Sequence, residues 1–241
     1  MFNILNGIRV LDLTTVVLGP FATQMLGDFG ASVIKIENLE GDMMRAVRPG
    51  SSDEMGAGFV NCNRNKDCIA LNLKTSEGKA IFYRLVQSAD AVVHNMRNKT
   101  AVKLGIGYDD LVKIKSDLVY CGAQGFGEKG PNSDVPAYDD IIQAASGLSY
   151  LNSDEKGHPR YLPTIVADKV SGLQLAIAVL GGLINKLRTG KGCFIESPMF
   201  EGLVAFLMAE QMAGYSYVPS SGGTGYDRLT APYRRPYPTE D

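Results

Sequence analysis

Short runs rich in β-branched residues alternate with amphipathic segments along the first forty residues of the chain. Residues 8–13 predict a strand, and apolar side chains with helical spacing over residues 21–29 predict a helix. Gly30 ends that helix, as glycine commonly does just beyond a helix C-terminus, and residues 33–37 predict a second strand. This order predicts a βαβ unit whose two strands are parallel.

The same alternation continues through most of the sequence. Further strands are predicted at residues 68–73, 91–94, 118–121 and 194–195. Helices are predicted at residues 75–88, 108–114, 139–151, 168–188 and 198–212, the first of them capped by Thr75 or Ser76. The repeated order of strand and helix predicts an α/β fold with a mostly parallel sheet flanked by helices.

The composition is that of a folded protein, and its main use is to exclude some classes of protein. Of the 241 residues, 45% are hydrophobic and 21% are charged, which excludes a disordered chain. The length predicts one large domain or two modest ones. The net charge is −2 and the sequence has no basic stripe, so we expect no nucleic-acid partner.

The spacing of cysteines and histidines gives no sign of a metal site. None of the four cysteines form a C-x-x-C pair, and His94 and His158 are far apart. Thiols scattered in this way suit a reducing cytoplasm. The first residues lack a secretory signal pattern, and the longest near-apolar run, residues 172–184, is too short to span a bilayer. We therefore expect a cytoplasmic protein without a membrane partner.

Residues 125–130 match the pattern G-x-G-x-x-G directly after a predicted strand. A dinucleotide-binding loop would lead into a helix, whereas residues 131–136 read as a loop. The first βαβ unit, where such a fingerprint would lie, has Leu18-Gly19-Pro20 instead. The pattern therefore favours an ordinary glycine loop over an NAD site.

Asp168 lies between an apolar extended segment and a long apolar helix. An aspartate at such a junction is by default a helix N-cap. The same place suits a nucleophilic carboxylate, because a helix N-terminus favours the ionised form and its amides can stabilise an anionic intermediate. Apolar surroundings would also leave the carboxylate poorly solvated and more reactive. Spacing alone leaves both interpretations open.

Five other polar residues could have structural or functional roles. Asp139 could cap the following helix with Tyr138 packed beside it, or the tyrosine hydroxyl could be directed at a ligand, and spacing alone leaves both interpretations open. His94 at a strand end and His158 in a polar loop favour structural roles over acid–base roles. Glu37 lies where a ribose-binding acid would, but without the glycines it is predicted to be an ordinary strand-end residue.

A series of segments, taken together, resembles one enzyme family. The segments are residues 7–13, Gly19-Pro20, residues 26–37, 63–66, 71–75 with Gly78, 90–95, Tyr138-Asp139 with Gln143-Ala144 and Ser146-Gly147, Asp168 with Gly172, residues 188–192, and Arg234-Arg235-Pro236. Each is weak alone, but in this order they cover essentially the whole chain. They resemble the class III CoA-transferases, a group that includes formyl-CoA transferase, carnitine CoA-transferase and the α-methylacyl-CoA racemases.

The resemblance implies a Rossmann-like fold and an acyl-CoA:carboxylate CoA-transferase activity. The partners would be an acyl-CoA donor and a carboxylic acid acceptor, with coenzyme A as substrate and no metal or permanently bound cofactor. The family's catalytic aspartate matches Asp168. Its carboxylate would form a mixed anhydride with the acyl group and then an aspartyl-CoA thioester, which divides one difficult exchange into easier covalent steps.

The resemblance also assigns coenzyme A contacts residue by residue. The matching positions are Val17, Leu18, Leu71, Asn72, Leu73, Lys74, Asn95, Met96, Arg97, Lys103 and Tyr138. Lys103 replaces a frequent arginine near the phosphates, so it supplies charge without a bidentate fork. Asn38 stands where formyl-CoA transferase has an arginine on the adenine side, which leaves that contact without its family residue.

Two other functions are alternatives to the transferase. The racemase branch uses a histidine and an aspartate, and the histidine position is Tyr138 here. Tyrosine, with a pKa near 10, is a poor base at neutral pH, which favours a transferase over a racemase or epimerase. An inactive coenzyme A-binding module is the third possibility.

Family members are longer than this sequence, which implies an incomplete fold. We expect residues 1–215 to be the N-terminal portion of a large Rossmann-like domain and residues 216–241 to be a linker towards an absent small domain. The Gly- and Pro-rich tail is expected to be flexible and to contain no closing element. Family members form interlocked homodimers, so this fragment alone is expected to lack activity and to self-associate.

Overall fold

The computed structural model describes residues 3–231 and 233–239 and is built around a six-stranded parallel sheet. The strands are β1 (Arg9–Leu13), β2 (Ser32–Glu37), β3 (Lys66–Ala70), β4 (Ala91–His94), β5 (Val119–Gln124) and β6 (Cys193–Pro198). Their order across the sheet is β3-β2-β1-β4-β5-β6. The predicted α/β fold with a parallel sheet is therefore confirmed.

The chain winds away from β1 in two directions. From β1 it proceeds to β2 and β3 on one side, and β4, β5 and β6 then follow on the other. Val10 of β1 pairs with Val33 of β2 and with Ala91 of β4, which fixes the register at this reversal. A reversal of this kind opens a crevice at the carboxyl ends of the two central strands, where open α/β sheets bind ligands.

Ten α-helices connect or flank the strands among the described residues. They are α1 (Leu18–Asp28), α2 (Ala57–Asn63), α3 (Ser76–Gln87), α4 (Asn98–Leu104), α5 (Tyr108–Leu111), α6 (Asp139–Ala145), α7 (Leu148–Leu151), α8 (Val166–Thr189), α9 (Met199–Gln211) and α10 (Asp227–Thr230). Short 3₁₀ turns lie at Met43–Arg45 and Ala213–Ser216. The predicted N-cap of α3 is confirmed, because the Thr75 hydroxyl accepts a hydrogen bond from the Gly78 amide.

The sheet separates two hydrophobic cores. Val93 of β4 points into the core with Leu26 of α1 and Leu175 of α8. Its neighbour Val92 points into the opposite core with Phe82 of α3. Because successive strand side chains alternate between faces, a central strand must be apolar on both, which explains the unbroken apolar runs in the sequence.

Several short elements differ from the sequence prediction. The single helix predicted over residues 139–151 is two helices, α6 and α7, because Gly147 between them has a φ of +86°. Helices α2 and α4 were not predicted, since seven residues show too little periodicity. The edge strand β3 begins and ends before the predicted 68–73.

The C-terminal stretch is more ordered than the sequence suggests. The Gly214 amide donates to the Gly223 carbonyl, and the Ser221 amide donates back to the Gly214 carbonyl. The sequence analysis did not predict this loop or the short helix α10. Residues 1, 2, 232, 240 and 241 of the expected domain and linker lie outside the described residues.

Helix α8 is long and apolar enough, by length and composition alone, to cross a membrane. It extends well beyond the near-apolar run of residues 172–184. Leu175, Val179 and Leu183 of this helix are nevertheless part of the core against the sheet. One face of the helix therefore packs in the core.

Candidate active site

Two neighbouring cavities occupy the crevice at the carboxyl ends of the central strands. The first, of about 310 Å³, is lined by residues that include Asp168 and Tyr138. The second, of about 520 Å³, is lined on one side by residues 71–74. Thr15 and Asn95 line both cavities, so the two adjoin. An elongated ligand could extend from one to the other.

Asp168 reaches the first cavity from the first turn of α8. The helix begins at Val166, with Ile165 at the N-cap position. The default prediction that Asp168 caps the helix is therefore wrong. Its own amide instead donates to Oδ1 of Asp139 at 3.0 Å. The side chain of Asp168 is thus not used as a cap and can face the cavity.

The environment of Asp168 disfavours its charge. Burial, and after it the negative charge of Asp139, raises the pKa of the Asp168 carboxyl from 3.8 to about 6. The dipole at the helix N-terminus lowers the pKa of this carboxyl, but burial and the charge of Asp139 outweigh it. At neutral pH the group is still mostly ionised, and it is poorly solvated. This combination is chemically suited to nucleophilic attack.

The structure differs from the interpretation in which Asp139 caps α6 and Tyr138 packs beside the helix. Asp139 is the first residue of α6, and its carboxylate accepts the Asp168 amide of α8 instead of capping α6. Tyr138 does not pack in the interior, because its side chain is 65% exposed and lines the first cavity. The alternative of a tyrosine directed at a ligand is the one compatible with this position.

Gln143 of α6 is a polar residue of the site that the residue-level reasoning missed. Its side chain is fully buried and donates to Oδ2 of Asp139 at 2.5 Å. Asp139 and Gln143 are four residues apart, the spacing at which helical side chains meet, so this signal was present in the sequence. What the spacing could not reveal is that the pair faces Asp168, 29 residues away from Asp139.

A buried ion pair ties β1 to β3 beneath the crevice. Lys66 Nζ lies 2.9 Å from Oδ2 of Asp12 and also donates to the Thr23 hydroxyl and the Asn63 side chain. Burial by itself raises the pKa of Asp12, but Lys66 and Lys35 outweigh it and lower the pKa to about 2. Breaking such a pair on one side is costly, because the remaining charge stays buried.

The loop between β1 and α1 is held from several sides. Lys35 Nζ donates to the Thr14 carbonyl at 2.8 Å and to Asp42 at 3.0 Å, and Asp42 accepts the Val16 amide. The Asn95 side chain bonds both the amide and the carbonyl of Thr15. Val16 has a φ of +70°, a strained value for a β-branched residue. Strain of this kind persists only where surrounding contacts hold it.

The structure brings together most of the residues expected to contact coenzyme A. Leu71, Asn72, Leu73, Lys74 and Met96 line the second cavity, Leu18, Arg97 and Tyr138 line the first, and Asn95 lines both. Two positions are not among the lining residues. Val17 is buried at the start of α1, and Lys103 is an exposed residue of α4. Asn38 lines the second cavity.

Two amides of the glycine loop after β5 donate to carboxylates of the same chain. The Gly127 amide donates to Oε1 of Glu201 at 2.9 Å, and the Glu128 amide donates to Glu196. A phosphate would have to displace these carboxylates and would meet their charge. The geometry thus agrees with an ordinary glycine loop.

The remaining polar candidates have structural environments. His94 is buried against the Tyr120 ring, and burial lowers the pKa of the imidazole to about 4. His158 lies in an exposed turn, where its ring and its amide contact Asp154. Glu37 is paired with Arg45 through two hydrogen bonds. These contacts agree with the structural interpretations.

The site has no arrangement of metal ligands among the residues that the structure describes. No group of three or more His, Cys, Asp or Glu side chains there is placed to hold an ion. The four cysteines are free thiols.

The sequence of this chain is similar to a known family of proteins. Residues 5–241 match the model of CoA-transferase family III. Succinyl-CoA:glutarate CoA-transferase from Mus musculus is 39% identical over 84% of this chain and 47% of its own length. Acetyl-CoA:oxalate CoA-transferase from Acetobacter aceti is 40% identical over 84% of this chain and 52% of its own.

A solved structure gives the same result. The crystal structure of a CAIB/BAIF family protein from Brucella suis superposes with a TM-score of 0.85 at 33% identity, covering 94% of this chain and 61% of that one. The chain spans about half the length of the curated relatives it matches. With a matching family model over nearly all of its residues, a shared fold and an aspartate in the crevice, the chain belongs to CoA-transferase family III.

Proposed function

We propose that this protein is an acyl-CoA:carboxylate CoA-transferase that uses Asp168 as its nucleophile. The observation that carries the proposal is the half-buried Asp168 carboxyl, which lines the first cavity and has a pKa of about 6. Such a group is ionised at neutral pH without being stabilised by a cation. Relatives named for succinyl, glutarate, oxalate and mesaconate transfer support dicarboxylic acids as the substrate class.

The proposed reaction consists of two exchanges on Asp168. The carboxylate attacks the thioester carbonyl, and the C–S bond breaks as the CoA thiolate departs. The product on the protein is an acyl-aspartyl anhydride. The thiolate then attacks the aspartyl carbonyl and releases the donor acid, which gives an aspartyl-CoA thioester. The acceptor carboxylate attacks the carbonyl of this thioester and expels the thiolate, which gives an anhydride between the acceptor and Asp168. The thiolate then attacks the acceptor's carbonyl in this anhydride, which releases the new acyl-CoA and regenerates the Asp168 carboxylate. Each step exchanges one acyl bond for another, so the reaction needs no net oxidation or reduction.

The two cavities suit the two parts of this substrate. We assign the larger cavity, bordered by residues 71–74, to the adenosine end of coenzyme A and the cavity at Asp168 to the thioester. Lys74 and the exposed Arg97 are the cations that would meet the phosphates. We also propose that residues 1–215 form the large domain, that residues 216–241 lead to a second domain, and that the complete enzyme is a cytoplasmic homodimer.

Trapping experiments test the nucleophile directly. The full-length protein, incubated with succinyl-CoA and treated with hydroxylamine, should carry a hydroxamate on the peptide with Asp168, detected by mass spectrometry. Asp168→Asn should lower exchange by at least about a thousandfold, because amide nitrogen is a poor nucleophile, and leave CoA affinity within about threefold. Asp140→Asn, the same change at the exposed neighbour of Asp139, is the matched control and should keep its activity.

Three outcomes would contradict the proposal. Undiminished turnover by Asp168→Asn excludes this residue as the nucleophile. Deuterium incorporation at the α-carbon of a chiral acyl-CoA without CoA exchange would indicate a racemase. Coenzyme A binding without either reaction, in the complete protein, would indicate a binding module.

A further inference from the structure

Gln143 makes three hydrogen bonds from a fully buried position between α6 and α8. Its Oε1 accepts the Leu162 amide at 2.9 Å, and its Nε2 donates to the Thr164 carbonyl at 3.3 Å. Nε2 also donates to Oδ2 of Asp139 at 2.5 Å. A primary amide has two donor hydrogens, and both are used here.

The first two of these bonds anchor the segment that leads into α8. Leu162 and Thr164 lie just before the helix that begins at Val166. Gln143 bonds the main chain of this segment at two points, the Leu162 amide and the Thr164 carbonyl. The position of the first turn of α8, and with it Asp168, therefore depends on this side chain.

The third bond determines how Asp139 faces Asp168. Oδ2 of Asp139 accepts from Gln143, and Oδ1 accepts the amide of Asp168 at 3.0 Å. With both oxygens accepting, the carboxylate cannot rotate without losing a hydrogen bond. The negative charge that opposes ionisation of Asp168 is thus held in one place.

We propose that Gln143 is the positioning residue of the nucleophile: it fixes both the entry of α8 and the Asp139 carboxylate that faces Asp168. This inference rests on the proposed role of Asp168. Gln143 does not touch the first cavity and acts through Asp139 and the 162–164 segment. Its amide is suited to this task because it donates and accepts at once and does not titrate.

Other charged and titratable groups around Asp168 do not replace this contact. Tyr138 at the start of α6 and Arg97 before α4 line the same cavity, and Lys169 follows on α8. Cys62 of α2 is close enough for Asp168 to contribute to raising the pKa of its thiol. Asp139 is the neighbour whose charge raises the pKa of Asp168.

The substitution Gln143→Glu tests the proposal through pH. A protonated glutamic acid has the shape of glutamine and one donor for Asp139, whereas an ionised one repels Asp139. Burial beside Asp139 should raise the pKa of the new carboxyl into the neutral range. We expect kcat of Gln143→Glu to fall by about tenfold or more from about pH 6 to about pH 9, with KM for acyl-CoA changing less than about threefold. Gln143→Met, without any donor, should be impaired at every pH.

Amide hydrogen exchange supplies a readout that needs no catalysis. In Gln143→Glu the Asp168 amide should be protected at about pH 6. Its protection factor, which corrects for the intrinsic exchange rate, should be about tenfold lower at about pH 9. In Gln143→Met the Leu162 and Asp168 amides should both exchange faster at either pH. Gln174→Glu is the matched control, since Gln174 is a partly buried amide of α8 that donates to the Gly202 carbonyl, and it should leave both amides unchanged.

Each outcome decides between the two proposals. Unchanged exchange at Leu162 and Asp168 in both Gln143 variants overturns the positioning role, and so does a pH profile of Gln143→Glu that matches the wild type in an active enzyme. If amide exchange is faster in the variants as expected but the full-length wild-type protein transfers no CoA, the proposed function is refuted and the positioning role stays intact. If Gln143→Glu does not fold at about pH 9, Gln143→Met and the Gln143→Glu data at about pH 6 still decide.

Discussion

At the scale of single residues, the proposed attack on a thioester requires an ionised Asp168 carboxyl, whereas the surroundings of this carboxyl oppose ionisation. Burial and the charge of Asp139 raise its pKa to about 6. The contrast with Asp12 is instructive, because Asp12 is more deeply buried but has two lysines, Lys66 and Lys35, that lower its pKa to about 2. The negative charge of Asp12 is therefore balanced by two lysines, whereas no cation lowers the pKa of Asp168.

This arrangement predicts that Asp168→Asn stabilises the fold. The native state binds the Asp168 proton more tightly than the unfolded chain, so the stability present below about pH 4 is lost as pH rises through about 6. A rise in pKa from 3.8 to about 6 corresponds to at most about 3 kcal/mol. In urea unfolding, Asp168→Asn should be more stable than wild type by about 1–3 kcal/mol at neutral pH and nearly equal at about pH 4.

The control for this prediction is again Asp140→Asn, an exposed change that should leave the unfolding free energy within about 0.5 kcal/mol at either pH. A wild-type protein as stable as Asp168→Asn at neutral pH would show that the Asp168 pKa is not raised in the folded state.

At the scale of elements, the site depends on a close crossing of α1 and α8. A Cβ on Gly172 would lie 2.8 Å from the Leu18 carbonyl oxygen and 3.0 Å from the Phe21 ring. Gly172 is one turn after Asp168 on α8, and Leu18 lines the same cavity as Asp168. The absence of a side chain at position 172 therefore sets the distance between the start of α1 and the proposed nucleophile.

Gly172→Ala should accordingly destabilise the protein and displace Asp168. The methyl group meets backbone, which cannot move aside cheaply, so we expect a loss of about 1–3 kcal/mol and a fall in kcat of at least about tenfold. Gly181→Ala is the matched control, because a Cβ there meets nothing within 4 Å. The same change at that exposed position of α8 should stabilise the helix by about 0.5–1 kcal/mol. Equal unfolding free energies for the two variants would contradict the close crossing.

At the scale of the whole molecule, α8 presents an apolar stripe to solvent. Leu173, Ile177, Ile184 and Leu187 recur on one face of the helix, and Ile177 and Leu187 are 69% and 74% exposed. Contiguous exposed apolar surface of this kind normally marks a protein contact. We therefore expect a second copy of this chain to cover the stripe.

The stripe predicts that the 241-residue chain self-associates in solution. Light scattering should give a mean mass that rises with concentration above 26.0 kDa. Ile177→Lys combined with Leu187→Lys should lower that mass, because burying two ammonium groups is costly. Ile4→Lys, at an isolated apolar residue that is 71% exposed, should not change it. A monodisperse monomer of the unmodified chain would contradict the prediction.

The sequence by itself determined the order and type of the main elements. Local periodicity was enough for the strands and the longer helices, and single residues such as Gly30 and Thr75 marked helix ends, because turn and cap chemistry acts over a few residues. It also placed Asp168 at the start of a long apolar helix. The family resemblance, which the comparisons confirmed, extended this to an expected set of ligand contacts.

The tertiary structure alone decided how the site is assembled. Short helices such as α2 and α4 carry too little periodicity to be predicted, and their place follows from packing. The Asp168 amide meets Asp139 29 residues earlier, and Lys66 meets Asp12 across 54 residues. No local pattern encodes such pairs, and burial and charge at those distances set each pKa. The sequence thus indicated which aspartate to examine, and the fold determined its environment.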